Sequence, residues 1–182
     1  MSDSTAHCFP FPRFLVCPQC LEADGRQTGA ANVFRGNHPA KVDEKGRLKL
    51  PAGFKSLVDA ASVTQFYVTS ADGESAQVWP LPAWEKREAA LSTLSALEPV
   101  LEKYLSATSY FGQQVEMDAQ GRILLPQILR AKAGLDDEEA VVLGMGEYVA
   151  LHNRKRYEAK AEANKLTEED RRRLAQLLGG KV

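Results

Sequence analysis

The chain contains one ten-residue pattern twice, and this repeat constrains the fold more than any other feature of the sequence. Residues 42–51 read apolar, Asp, two variable residues, Gly, Arg, an apolar-rich run and Pro, and residues 117–126 read the same way. The Asp residues of the two copies are 75 positions apart, and so are the Arg residues. Similar apolar segments follow each copy, so we interpret residues 33–107 and 108–182 as two diverged copies of one unit.

Each copy has the composition of a β-hairpin with a tight loop. Residues 41–42 and 48–50 are predicted to form the two strands of the first hairpin. Asp43 can accept hydrogen bonds from the backbone of its own turn, and Gly46 supplies the left-handed conformation that follows a type I turn. Pro51 cannot donate to a β-ladder, so the second strand is expected to stop there.

Helical patterns follow each predicted hairpin. In the first unit, residues 84–97 have apolar side chains at helical spacings, and Pro99 is suited to open a second helix. In the second unit, residues 153–166 are predicted to form a helix capped by its first Asn. Thr167 then caps another helix, which Gly179-Gly180 would end. Each unit is therefore predicted to contain strands followed by a helical hairpin, and this order of elements predicts an α+β fold.

The chain is nearly neutral overall, but its positive charge is concentrated in part of the sequence. Its 182 residues have a formal net charge of −1, which provides no overall field that attracts nucleic acid. Residues 34–55 nevertheless have a net charge of +4, and residues 113–135 have +1. No apolar run approaches the roughly 20 residues of a membrane span, and the polar, acidic start does not resemble a signal peptide. These features predict a cytoplasmic protein.

Residues 1–32 are predicted to be a leader outside the repeat. Cys17 and Cys20 have the spacing of a zinc knuckle, and His7 and Cys8 are the available further ligands. The segment has no second Cys-x-x-Cys and no regular periodicity. A disordered leader, or a segment upstream of the native start, explains it better. We therefore expect no metal and no cofactor.

No arrangement of residues indicates catalysis. The three His residues have no obvious nucleophile partner, and the sequence contains no Gly-x-Ser-x-Gly or phosphate-binding glycine loop. Gly144-Met145-Gly146 lacks the third glycine of a nucleotide loop and favours a hairpin turn. The sequence predicts a protein that is not an enzyme and has no small-molecule substrate.

The Arg of each motif calls for a separate explanation, because turn geometry requires the Asp and the Gly but not the Arg. A repeated Arg on a presented loop suits phosphate or guanine recognition through its planar set of donors. The alternative is an internal Asp–Arg salt bridge, which is worth about 0–1 kcal/mol when exposed. Arg35, Lys45 and Lys49 are added as candidate DNA contacts, the two lysines on charge alone.

The motif resembles the swapped-hairpin motif of AbrB/SpoVT-type DNA-binding domains. Two copies in one chain, with Phe34-Arg35-Gly36 before the first and residues 79–85 after it, resemble the MraZ family over about residues 33–166. The resemblance implies an intrachain pseudo-dimeric swapped-hairpin β-barrel with flanking helical hairpins, assembled into a homo-oligomeric ring. It also implies that Asp43, Gly46 and Arg47, with Asp118, Gly121 and Arg122, form the loops that face double-stranded DNA.

The same resemblance implies a function. MraZ proteins are transcriptional regulators of the division and cell-wall gene cluster. They associate with the nucleoid and bind direct repeats upstream of their own operon. AbrB-like barrels also occur in antitoxins, so a protein-interaction or antitoxin-like scaffold is the alternative. The predicted C-terminal segment reads as a capped helix rather than a disordered toxin-binding tail, which favours the regulator.

Overall fold

The computed structural model describes residues 33–95, 98–136 and 138–179. The predicted leader and its candidate zinc ligands, His7, Cys8, Cys17 and Cys20, lie outside the described residues. Within the described part of the chain, no group of three or more His, Cys, Asp and Glu side chains could hold a metal ion.

The described residues form two successive series with the same order of elements. The first contains β1 (Phe34–Lys41), β2 (Arg47–Lys49), α1 (Ala52–Ala60), β3 (Gln65–Thr69), β4 (Ser75–Pro80), α2 (Leu81–Ser92) and α3 (Pro99–Tyr110). The second contains β5 (Gln113–Glu116), β6 (Arg122–Leu124), α4 (Gln127–Ala133), β7 (Glu139–Gly146), β8 (Val149–Asn153), α5 (Arg154–Ala163) and α6 (Glu168–Leu177). The α+β prediction is confirmed, while helix α3 crosses the boundary placed between residues 107 and 108.

The strands of the described residues form two antiparallel sheets that combine both repeats. The larger sheet has the order β1-β7-β8-β4-β3-β5, and the smaller one pairs β2 with β6. Exchanging each strand for its counterpart in the other repeat gives the same order reversed, so the topology is symmetric about the β4–β8 pair. Strand β1 pairs with β7 along its whole length, and β5 pairs with β3. Each repeat therefore supplies its first strand to the other repeat.

The predicted hairpin is correct at its turn and wrong in its strand partners. The two arms meet at the bridge between Val42 and Leu48, but the ladder of β2 runs along β6, where Leu48 faces Ile123. This pairing buries one apolar side chain of each strand, because Leu48 and Ile123 are each 0% exposed. In the described residues β1 and β5 remain the edges of the larger sheet, so strand exchange is observed and barrel closure is not.

One cluster of buried apolar side chains joins the two repeats. It includes Leu48 and Phe54 from the first repeat and Ile123, Leu129 and Val142 from the second. Fully burying one such side chain contributes roughly 1.5–3 kcal/mol. Because both repeats bury their side chains in this cluster, they share a core in the part of the chain that the structure describes.

The helix starts predicted from Pro99 and the two capping residues are confirmed, whereas the first predicted helix, at residues 84–97, instead runs from Leu81 to Ser92. Pro99 is the first residue of α3. Asn153 accepts a hydrogen bond from the backbone N–H of Arg156 at 3.0 Å, and Thr167 forms a reciprocal capping box with Asp170 at the start of α6. Helix α5 ends at Ala163 rather than near residue 166.

Helices α3 and α6 leave apolar side chains exposed to solvent. Helix α6 buries none of its residues, and α3 exposes Val100 and Tyr110. None of the described helices is long and apolar enough to cross a membrane.

Candidate nucleic-acid interface

The first Asp-x-x-x-Arg loop, residues 43–47, is closed by its own Asp side chain. Oδ1 of Asp43 accepts hydrogen bonds from the backbone N–H of Lys45 at 3.0 Å and of Arg47 at 2.9 Å. The backbone N–H of Gly46 donates to the carbonyl of Asp43 at 2.8 Å, and Gly46 has a φ of 77°. The turn predicted from Asp and Gly is confirmed, because only glycine adopts this conformation without strain.

The second loop, residues 118–122, repeats this geometry. Oδ1 of Asp118 accepts from the backbone N–H of Gln120 and of Arg122, both at 2.9 Å. The N–H of Gly121 donates to the carbonyl of Asp118 at 2.8 Å, and its φ is 74°. The two loops therefore present their Arg side chains in equivalent positions.

The two loops are joined to each other. The backbone N–H of Leu50 donates to the carbonyl of Gly121 at 2.9 Å, and the N–H of Leu125 donates to the carbonyl of Gly46 at 2.9 Å. Nη1 of Arg47 also lies 3.6 Å from Oδ2 of Asp118, the carboxylate of the other loop. The fold thus brings together at one surface two arginines that are 75 positions apart in the chain.

Each arginine forms the internal salt bridge that was the alternative to ligand binding. Nε of Arg47 donates to Oδ2 of Asp43 at 2.9 Å, and Nε of Arg122 donates to Oδ2 of Asp118 at 2.7 Å. A guanidinium has five N–H donors, and these bonds occupy only part of each group. The side chains of Arg47 and Arg122 are 26% and 29% exposed. The salt bridges therefore orient the guanidinium groups without enclosing them.

The remaining candidate contacts lie at different distances from the loops. Lys45 lies within the first loop and Lys49 ends β2, and both are exposed. Arg35 is exposed near the start of β1, whereas the loop follows the end of that strand at Lys41. Six residues of extended chain span on the order of 20 Å, so Arg35 is remote along its strand. Its role in DNA binding stays a prediction.

Two basic side chains that we did not predict as site residues lie against the loop glycines. A methyl group added to Gly46 would lie 2.7 Å from Nε of Arg130, and one added to Gly121 would lie 2.8 Å from Cδ of Lys55. Both basic residues follow the motif proline by four positions, and they are 75 positions apart. The repeat offset was the signal in the sequence that could have identified them.

Comparison with known proteins identifies the family of this chain. The model of the family described as "MraZ protein, putative antitoxin-like" matches residues 33–104 and 112–177. The chain belongs to the MraZ family. It is similar to the protein named transcriptional regulator MraZ of Acidobacterium capsulatum, with 48% identity over 79% of this chain and 98% of that protein. The protein of the same name from Koribacter versatilis is 42% identical over 80% of this chain and 99% of its own length.

The loop carboxylates of this MraZ-family chain are stabilised in their charged form. The side-chain hydrogen bond from Arg47, together with the backbone N–H of Arg47, holds the pKa of Asp43 below its usual range. Partial desolvation raises the pKa of Asp118, but the backbone and side-chain hydrogen bonds from Arg122 outweigh it and leave this pKa lowered as well. Both carboxylates therefore stay ionised at neutral pH and keep the arginines oriented.

The lowered pKa values predict an acid-sensitive contribution of the loops to stability. A group whose pKa is lower in the folded state stabilises the protein above its unfolded pKa of about 3.9, and this stabilisation is lost as the pH falls through the folded value. Urea titrations between pH 6 and pH 3 should show a lower free energy of unfolding for Asp43→Asn/Asp118→Asn than for the parent, with the difference shrinking below about pH 4. Glu44→Gln, which removes an exposed charge from the same loop, is the control. A difference that is constant with pH would contradict this origin.

Proposed function

We propose that this MraZ-family protein is a sequence-specific transcriptional regulator that binds double-stranded DNA through its two joined Asp-x-x-x-Arg loops. The observation that carries the proposal is the pairing of Arg47 and Arg122 at one surface, each oriented by its own Asp. The relatives named transcriptional regulator support the same function. Its sites are direct repeats upstream of its own operon, in the division and cell-wall gene cluster. It acts in the cytoplasm, on the nucleoid, and has no catalytic role.

The chemistry of the loops fits recognition of a polyanion. A guanidinium that is fixed on its Nε side by a carboxylate keeps further donors for a phosphate oxygen or for O6 and N7 of guanine. Phosphate contacts position a protein on the duplex, and base contacts specify the sequence. The first repeat contributes more, because its loop contains Lys45 and is followed by Lys49, and because residues 34–55 have a net charge of +4.

Affinity in this proposal comes from repetition. The chain has a formal net charge of −1, so one pair of loops gains little from long-range attraction. In the proposed assembly, exchanged hairpins close each chain into a barrel and the chains form a homo-oligomeric ring. The ring presents several loop pairs to successive direct repeats, which raises the effective concentration of each further contact. The exposed apolar side chains of α3 and α6 are the proposed surface between neighbouring subunits.

The proposal is tested by fluorescence anisotropy of the purified protein with duplex DNA from upstream of its operon. A scrambled duplex of the same composition is the control, and both are titrated over a salt series from 50 to 200 mM. We expect selective binding to the upstream duplex, with log K falling linearly against log salt as counterions are released. Equally weak binding to both duplexes would overturn the proposal.

The description of the family as antitoxin-like supports one second candidate, a protein-interaction scaffold. The exposed apolar residues of α6, Leu174 and Leu177, are the surface it would use. In that case, a protein partner would co-purify with the chain in nuclease-treated extracts, and Leu174→Ser/Leu177→Ser would release it. Selective DNA binding without such a partner would favour the regulator.

A further inference from the structure

We infer that each DNA loop is positioned in trans, by a basic side chain of the opposite repeat. Arg130 of helix α4 positions the loop of repeat one, and Lys55 of helix α1 positions the loop of repeat two. The inference rests on the proposed DNA-binding function and adds two positioning residues to its site. Each Asp-x-x-x-Arg loop is then a composite of both repeats, so that neither repeat forms a working loop alone.

The two basic residues occupy the same position in equivalent helices. Helices α1 and α4 begin after Pro51 and Pro126, and the backbone N–H of Lys55 and of Arg130 donates to the carbonyl of its own proline, at 2.9 and 3.0 Å. From this first turn, the side chain of Lys55 lies against Gly121 and that of Arg130 lies against Gly46. The contact is therefore reciprocal, and each basic side chain reaches the loop of the other repeat.

The contact explains a second requirement for glycine in each loop. Gly46 and Gly121 need a positive φ, and a side chain at either position would also occupy the space of the basic side chain behind it. The carbonyl of Gly46 is held by the N–H of Leu125, so the first loop is fixed by repeat two both through its backbone and through Arg130. The direction of Arg47, the next residue after Gly46, depends on that support.

Arg130 is held more tightly than Lys55. Its side chain is 17% exposed, and Nη1 forms an ion pair with Asp136 at 2.6 Å. Its Nε is buried and has no hydrogen-bond partner in the part of the chain that the structure describes. Lys55 is more exposed and pairs with Asp59 on its own helix. A side chain this enclosed acts through the loop that it contacts, so we expect the larger effect at the loop of repeat one.

A double-mutant cycle on DNA affinity tests the inference at 50 mM salt, where weakened variants still bind measurably. Arg130→Gln is introduced into the parent protein, into Arg47→Ala and into Arg122→Ala. We expect a loss of about 3- to 10-fold in the parent and in Arg122→Ala, and a loss of less than about 2-fold in Arg47→Ala. Arg130→Lys should restore part of the loss, because it retains the charge and most of the stem.

The controls separate positioning from loss of charge or of fold. Lys132→Gln removes an exposed positive charge from the same helix, and we expect less than about 2-fold change. Lys55→Gln is the reciprocal variant, and the loss of DNA affinity that it causes should disappear in Arg122→Ala rather than in Arg47→Ala. The double-mutant cycle with Lys55→Gln tests the inference if Arg130→Gln does not fold. The inference would be overturned if Arg130→Gln caused equal losses of affinity in Arg47→Ala and in Arg122→Ala. It would also be overturned if the loss disappeared in Arg122→Ala, whose substitution lies in the same repeat as Arg130.

A measurement without DNA distinguishes failure of the inference from failure of the proposed function. Arg130→Gln should speed amide hydrogen exchange at Gly46, whose N–H closes the first loop, and leave Gly121 unchanged. If this selective effect is seen and the parent protein does not bind DNA, trans support is established and the DNA-binding function is rejected. If the exchange at Gly46 is unchanged while the parent binds DNA selectively, the inference is rejected and the function stands.

Discussion

The double variant Arg47→Ala/Arg122→Ala is expected to lose sequence-selective DNA binding. Each bidentate contact between Arg and a base is worth about 1–3 kcal/mol of discrimination, so removing both should lower affinity for the upstream duplex by roughly 10²- to 10⁴-fold. The remaining affinity should match that for a scrambled duplex. The salt dependence should also flatten, because fewer counterions are released when two cationic contacts are absent. Anisotropy titrations over a salt series measure both effects.

The matched control for this prediction is Lys86→Ala/Lys165→Ala. It removes two positive charges from well-exposed side chains that lie outside the two loops and outside α3 and α6. We expect it to bind the upstream duplex within about 2-fold of the parent protein. Parent-like binding by Arg47→Ala/Arg122→Ala, or equal losses in the two variants, would show that the loops are not the recognition surface.

The turns could be predicted from the sequence because their causes are local. Asp43 closes its own loop through backbone donors two and four residues further on, and Gly46 supplies the positive φ within the same five residues. The residues that make these turn hydrogen bonds all lie within the loop, although the opposite repeat also holds the loop in place. The caps at Asn153 and Thr167 are equally local, because their side chains bond to the first turn of the helix that follows.

The partners of the strands could not be predicted from the same local pattern. An apolar strand after a tight turn can pair with the preceding arm of its own hairpin or with the equivalent strand of the other repeat, and the local pattern is the same in both cases. The outcome depends on which arrangement buries more apolar area, and that is a property of the whole fold. Leu48 gains the opposing side chain of Ile123 only because the two repeats are intertwined. The local pattern therefore identified the loops, the resemblance alone implied an exchange of hairpins, and neither predicted that β2 pairs with β6.

Helices α1 and α4 were missed because they are short. They have 9 and 7 residues, which is about two turns, and apolar runs this short fit a buried strand as well as a helix. Because α1 and α4 were not predicted, Lys55 and Arg130 appeared only as part of the local charge. Their contact with the opposite loop depends on strand exchange, which no local pattern contains.

Ile123→Ala should cause a large loss of stability, because this side chain lies where the two repeats join. Ile123 is 0% exposed and belongs to the core cluster shared by both repeats. Removing it leaves a cavity between β2 and β6, and such a substitution costs about 2–5 kcal/mol of the free energy of unfolding. For a chain of this size, that corresponds to a decrease in Tm of roughly 5–15 °C. Urea and thermal unfolding measure the two quantities.

Leu124, the residue next to Ile123 on β6, supplies the control for this prediction. Leu124 is 43% exposed on the other face of β6, so Leu124→Ala should change the free energy of unfolding by less than about 1 kcal/mol. Because the core of each repeat is completed by the other, Ile123→Ala should still unfold in one cooperative transition. Two separate transitions, one for each repeat, would contradict the intertwined arrangement on which the joined DNA loops depend.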